Sequence, residues 1–375
     1  MSRSTSDPLR IALLAPLVTP IPPPAYAGTE RVIAALAQHL HERGHAVTLY
    51  ASGDSRVPCR LVPVIDESLW ASGYTGDGRQ FTPMVVASAW RDADQYDVIH
   101  SHLEGGGFLF ARHGPVPVVS TLHNRLDTEG MPQLLSHFSD VPVVAISESQ
   151  RRWSPEANWV ATIHHGIARR ESLSSERPGE YLAVVGRLTW EKGIEEAIEV
   201  ARVTGIPLKI AGKAHEDIEI EMLENIVKPA VEEGIAEFVG ELAPNERDAL
   251  LAGSLATLML GAWPEPFGLV AVESMVTGTP VIGRRAGGLT ETVRHGETGF
   301  LVDDLLEAKT AVERVASLDR LSIRNYALDT FSPALMVERY EAVYRSLMSE
   351  RIPVASIDSN GGRVLERTSP AEGAP

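Results

Sequence analysis

Residues 11–15 read IALLA, residues 30–44 read ERVIAALAQHLHERG, and residues 47–51 read VTLYA. The first and third stretches are apolar runs of strand length. Between them Val32, Leu36 and Leu40 recur at helical spacing, and Gly44 supplies a C-terminal stop, which predicts a helix over 30–43. The alternation continues along the chain, with further candidate strands at 98–100, 116–121, 141–146 and 159–163, then at 181–185, 208–211, 236–239, 256–260, 280–283 and 300–302. Short apolar runs separated by amphipathic stretches are the pattern of parallel sheets covered by helices on both faces. The fold class is therefore α/β, with two Rossmann-like domains.

A chain of 375 residues fits two domains better than one core. The join is expected in the polar stretch 166–179, with Arg169-Arg170, Ser174-Ser175 and Pro178. This gives a first domain over 1–168 and a second over 169–332. A last helix is expected over 333–350, in a segment ending at 352. From residue 353 the composition turns to Ser, Gly, Pro and charge without periodicity, as in a disordered tail.

The formal net charge of -16 argues against nucleic acid and anionic membranes as main partners, because both select basic surfaces, and leaves room only for a local basic patch. The single cysteine, Cys59, forms no internal disulfide and suits a reducing cytoplasm. Arg3 and Arg10 before the apolar run 11–18, with Ala25-Tyr26-Ala27 beyond, imitate a signal peptide. Pro16 interrupts that run, and cleavage would delete a strand the α/β pattern needs, so a cytoplasmic protein is expected. Asp92-Ala93-Asp94 imitates a metal-binding pair, yet it sits in an acidic stretch before a strand and reads as a solvated turn.

Three motifs carry chemistry. Residues 265–273 read EPFGLVAVE. A helix over 267–278 would aim the backbone N–H groups of Phe267, Gly268 and Leu269 at an anion. Glu265 precedes that helix start and Glu273 lies more than a turn inside, so two hydroxyl acceptors flank the anion, as a diphosphate between a sugar and a ribose requires. Residues 186–193 read GRLTWEKG and follow an apolar run. Near the N-terminus, Gly28-Thr29-Glu30-Arg31 follow a Pro-rich loop.

In this order the motifs resemble the E-x7-E, G-R-L-x-x-x-K-G and G-G-T-E segments of family 4 glycosyltransferases, retaining enzymes of the GT-B fold. The resemblance implies two Rossmann-like domains with a cleft between them and a C-terminal helix that crosses back to the first. It implies transfer of a sugar from a nucleotide diphosphate sugar, with UDP the commonest carrier in the family and GDP and ADP behind it. Arg187 would clamp phosphate oxygens with its planar fork and Lys192 would add a point charge. Glu273 would accept from ribose hydroxyls. Glu265 would hold a donor-sugar hydroxyl and stabilise positive charge at the reacting centre. Gly28 and Thr29 would meet phosphate through backbone N–H groups, although Ala27 stands where the family has its first glycine. His123 matches a histidine placed near the donor sugar. His100 and His102 are balanced between cleft contact and packing, and His164-His165 read as hinge packing. No cofactor and no metal are expected, because Arg and Lys supply the charge.

No obvious carboxylate in the first domain offers itself as a covalent nucleophile, which favours front-face displacement with the leaving phosphate taking the acceptor proton. Acceptor loops at 66–81 and 103–108 carry no decodable motif. Helix 30–43 is mixed rather than basic, so a small soluble acceptor (metabolite, sugar or natural product) is expected. The alternatives are a GT-B epimerase or hydrolase, and a non-catalytic two-lobed sugar-binding protein. A dehydrogenase is disfavoured because no G-x-G-x-x-G follows a strand.

Overall fold

The computed structural model describes residues 7–25, 27–74, 76, 78–167 and 177–349. Seven parallel strands build the first sheet: β1 (Arg10–Leu14), β2 (Ala46–Ser52), β3 (Arg60–Ile65), β4 (Val98–Ser101), β5 (Val118–Thr121), β6 (Val143–Ala145) and β7 (Trp159–Thr162). Their order is β3-β2-β1-β4-β5-β6-β7. Six build the second: β8 (Leu182–Val185), β9 (Leu208–Ala211), β10 (Ala236–Gly240), β11 (Ala256–Met259), β12 (Val281–Arg284) and β13 (Gly299–Val302), in the order β10-β9-β8-β11-β12-β13.

Strand β3 is an addition to the expected set. Its sequence RLVPVI contains Pro63, which cannot donate to a ladder and is tolerated because β3 is the sheet edge. The register with β2 shifts just past Pro63, between Ala51 and Ser52.

In the first domain, helix Gly28–Glu42 buries Val32, Ile33, Leu36, Ala37 and Leu40 against one face of the sheet. Helix Thr82–Arg91 covers the other face with Val85 and Ala89. In the second domain, helices Ile194–Thr204 and Leu305–Val315 share one core, and helix Leu269–Val276 packs with Ile323, Ala327 and Phe331 in another. Each fully buried Leu, Ile or Val is worth about 1.5 to 3 kcal/mol.

Helix Pro333–Ser349 crosses back to the first domain, as expected. Met336, Val337, Tyr340, Val343 and Tyr344 enter that domain's core. Tyr340 bonds Thr121 at 2.9 Å, and Tyr344 bonds His100 at 2.8 Å. The Arg43 fork donates to both oxygens of Glu341 at 2.7 Å, and His45 meets the same carboxylate at 2.6 Å. Burial opposes the charge on Glu341, but the bonds from Arg43 and His45 hold its pKa below the ordinary value.

The expected domain boundary at 168/169, most of the expected join and the expected tail from 353 lie outside the described residues. Among the described residues no helix is long and apolar enough to cross a membrane.

Candidate active site

In a doubly wound sheet the crevice opens where strand order reverses, beyond the C-terminal strand ends. Here the reversals fall between β1 and β4 and between β8 and β11. The loops leaving these strands carry the candidate residues and face one another across a cleft of about 530 Å³. Gly28, Thr29, Gly186, Arg187, Lys192, Glu265, Gly268 and Leu269 all line it.

Gly28 and Thr29 open helix Gly28–Glu42, whose N-cap, Ala27, makes no side-chain capping bond. The first backbone bond onto the cap comes from Arg31, to the Ala27 carbonyl at 3.3 Å, so the earlier N–H groups have no helical acceptor. A Cβ on Gly28 would stand 2.9 Å from Cδ1 of Leu269 on the opposite wall, so a larger residue would push into the facing domain.

On the second domain, Gly186 directly follows β8 and is approached so closely by Gly212 that a Cβ on Gly212 would lie 2.2 Å from the Gly186 carbonyl oxygen. A short 3-10 turn over Trp190–Lys192 then aims Lys192 into an ion pair with Glu265, with its Nζ 5.5 Å from the Trp263 ring centre. Arg187 is 40% exposed and only loosely paired, 3.9 Å from Glu191. Glu265 is fixed from behind: Gly288 N–H donates to its carbonyl at 2.7 Å, and a Cβ on Gly287 would fall 2.4 Å from that oxygen.

The helix after Glu265 starts later than the sequence suggests. It runs Leu269–Val276, capped by Gly268 in the left-handed region at φ 88°. The donors of its open first turn are therefore Leu269 and Val270, because Ala271 and Val272 already bond to Gly268. Phe267 precedes the helix and turns its ring into the core, 5.0 Å from His165 and 5.8 Å from Phe331, off the cleft wall. A large apolar ring gains more from that core than from a polar wall.

Glu273 also lies off the wall. It is 3% exposed, on the helix face shared with Leu269 and Val270, and it forms ion pairs with Arg31 of the first domain and, at 3.6 Å, with Arg247.

His123 is buried within a column of rings rather than displayed. His102 and His123 share a hydrogen bond of 2.9 Å, the His100 ring lies tilted against His102 at 4.0 Å, and His165 stacks on His123 at 5.2 Å. Burial drives the pKa of His100 and His123 down to about 3 and that of His102 and His165 well below the ordinary value. Glu104 braces the column's loop. Its Oε1 accepts from the backbone N–H groups of His123 (2.8 Å) and Asn124 (3.2 Å) and from the Asn124 amide. Burial raises the Glu104 carboxyl to about 7. Glu104 holds φ 51°, the one non-glycine with positive φ among the described residues.

Further contacts bridge the domains. Arg125 lies over Trp263 at 4.0 Å, and Lys213 lies over Trp70 at 4.3 Å. Glu291 accepts from the N–H groups of Glu148 and Ser149 and meets His164 at 3.0 Å, so His164 packs against a side chain of the second domain. Arg31, Arg247, Glu104 and Trp70 were not singled out by sequence. Arg31 stood within a quoted motif, whereas Arg247 sits in an ordinary amphipathic stretch that carries no local signal.

Two family models match consecutive parts of the chain: Glycosyltransferase Family 4 over residues 26–171 and Glycosyl transferases group 1 over residues 168–325. The chain belongs to glycosyltransferase family 4. This family 4 enzyme is 26% identical to the D-inositol 3-phosphate glycosyltransferase of Mycolicibacterium smegmatis, over 93% of this chain and 94% of that one. Among solved structures it resembles AviGT4, a glycosyltransferase involved in avilamycin A biosynthesis, with a TM-score of 0.72 and 24% identity over 92% of this chain and 99% of that chain. It also resembles Anabaena HepE in complex with UDP and glucose, with a TM-score of 0.71 and 19% identity over 90% and 100% of the two chains. The two structural likenesses establish the GT-B fold of this glycosyltransferase.

Proposed function

We propose that this enzyme is a retaining hexosyltransferase that moves a sugar from a UDP-sugar to a hydroxyl of a small soluble acceptor in the cytoplasm. The observation that carries the proposal is the convergence of Gly28, Arg187, Lys192 and Glu265 on one interdomain cleft. Bond breaking at the sugar C1 places negative charge on the departing diphosphate. Preorganised cations and N–H dipoles stabilise that charge without reorganising when it develops. Arg187 and Lys192 supply the cations on one wall, in place of a bound metal, and the open turn at Gly28 supplies dipoles on the other.

Glu265 meets the donor sugar. Glu265 pairs with Lys192 in the structure, and donor binding exchanges that contact for one in which Lys192 turns to phosphate and Glu265 to a sugar hydroxyl. Front-face displacement follows, with the acceptor oxygen attacking on the side from which the diphosphate leaves and a phosphate oxygen taking its proton. The HepE complex supports UDP as carrier, and the names of the mycobacterial relatives support a small polyol-type acceptor.

A thermal-shift panel of UDP, GDP, ADP and their hexose conjugates tests the carrier. Ligand at about 100 times its Kd adds about 2.7 kcal/mol of apparent stability. A selective shift with UDP species supports the proposal, and no shift with any nucleotide refutes it. Sugar release from the UDP-sugar at the full turnover rate without acceptor would make the enzyme a hydrolase instead.

A further inference from the structure

Glu273 is held by the two domains at once. Its Oε1 is the oxygen that meets Arg31, from helix Gly28–Glu42 of the first domain, and Arg247, from helix Pro244–Ala252 of the second. Its Oε2 is buried with no hydrogen-bond partner. Arg247 is itself 2% exposed and anchored to Asp248 at 2.9 Å, so the second-domain side of the arrangement is rigid. A buried carboxylate oxygen without a donor is costly, and a pair of cations fixed on the sister oxygen dictates where that orphan sits. Leu269 and Val270, one turn before Glu273 on the same helix face, are cleft wall, as is Arg247.

We propose that Arg31 is a positioning residue for the donor. By pairing with Oε1 across the cleft it turns Oε2 of Glu273 toward the ribose, so ribose hydroxyls are read at full strength only when the two domains are together. The inference rests on the assignment of the cleft to a UDP-sugar. It adds that recognition of the ribose, contributed by a residue of the second domain, depends on a cation of the first. The pairing also balances charge. Arg31, Arg247, Glu273 and Asp248 sum to zero when the domains meet, whereas separation leaves two carboxylates against one guanidinium beside a site for a diphosphate. Arg31 thus favours both the anion and the hydroxyls of the same ligand.

Titration calorimetry with UDP and with 2′,3′-dideoxy-UDP tests this on the wild type, Arg31→Ala and Arg31→Lys. The wild type should prefer UDP by about tenfold or more, the worth of a hydrogen bond to a charged acceptor. In Arg31→Ala the ratio of the two affinities should fall toward one, while Arg31→Lys, which keeps a cation, should retain most of it. A melting temperature measured beside each variant identifies loss of fold, and the Arg31→Lys ratio reports even where Arg31→Ala is unstable. If Arg31→Ala binds both nucleotides more weakly but keeps the wild-type ratio, Arg31 contributes only bulk charge and the inference is overturned. A wild type that binds UDP and dideoxy-UDP equally overturns it as well, with the carrier assignment intact. A wild type that binds neither removes the carrier assignment itself.

Discussion

Acidification should destabilise this protein through its histidine column, by an amount the structure lets one work out. His100, His102, His123 and His165 are buried, and burial is the largest cause of their lowered pKa values, about 3 for His100 and His123 against an ordinary value of 6.5. Their folded pKa lies below the unfolded one, so the stability they carry is present above pH about 6.5 and is lost as pH falls. Between pH about 7.5 and about 5 each contributes a loss of roughly 2 kcal/mol, or roughly 8 for the four together. Glu104 acts in the opposite sense. Its folded pKa of about 7 lies above its ordinary 4.5, so its share of stability is lost as pH rises through 7 and returns, by roughly 2 kcal/mol, over the same descent. The net loss is roughly 5 to 6 kcal/mol, comparable with the whole stability of an ordinary domain. Urea unfolding at the two pH values measures it. Calorimetric unfolding at pH about 5.5, in buffers of differing ionisation enthalpy, should show uptake of about three protons. Uptake of less than about one proton would refute the reasoning, because the rings would then be charging in the folded state.

Replacing Lys192 with Ala should lower kcat by about 30- to 1,000-fold, the equivalent of about 2 to 4 kcal/mol of lost transition-state stabilisation, with the melting temperature nearly unchanged. Steady-state kinetics with saturating donor decides, and a wild-type kcat would remove Lys192 from the chemistry. Glu341→Ala leaves Arg43 and His45 without their carboxylate and should cost about 1.5 to 3 kcal/mol in urea unfolding. A cost below about 0.5 kcal/mol would show that the Glu341 ion pairs contribute nothing measurable to docking the last helix. Cys59, whose thiol burial pushes up to about 11, should react with a thiolate-selective reagent at pH about 8 at least 100-fold more slowly in the folded than in the urea-unfolded protein. Equal rates would show that its loop opens freely.

The βαβ rhythm was legible because parallel strands buried on both faces are continuous apolar runs, and twelve of the thirteen strands announced themselves that way. Strand β3 did not, since an edge strand needs burial on fewer sides and can accept Pro63. Gly28, Arg187, Lys192 and Glu265 were picked out by the motifs that resemble family 4 segments, and the structure brings all four to one cleft. Phe267 was assigned to the wall through a backbone argument that the two-residue difference in the helix start cancels. The pairing of Arg31 with Glu273 was invisible for another reason. The two residues are 242 positions apart, and only the relative placement of two domains brings them together. The histidine column was similarly hidden, because four rings from the ends of β4, β5 and β7 meet only in three dimensions.

The crossover of helix Pro333–Ser349 has a consequence for the order of events during biosynthesis. Tyr340 and Tyr344 complete hydrogen bonds and core packing on strands β4 and β5, which leave the ribosome more than 200 residues earlier. The first domain must therefore wait, with the surface meant for those tyrosines uncovered, through synthesis of the entire second domain. A ribosome stalled or terminated near residue 332 would release a chain whose damage lies in its oldest part, and the exposed patch on β4 and β5 is where a chaperone would be expected to hold it.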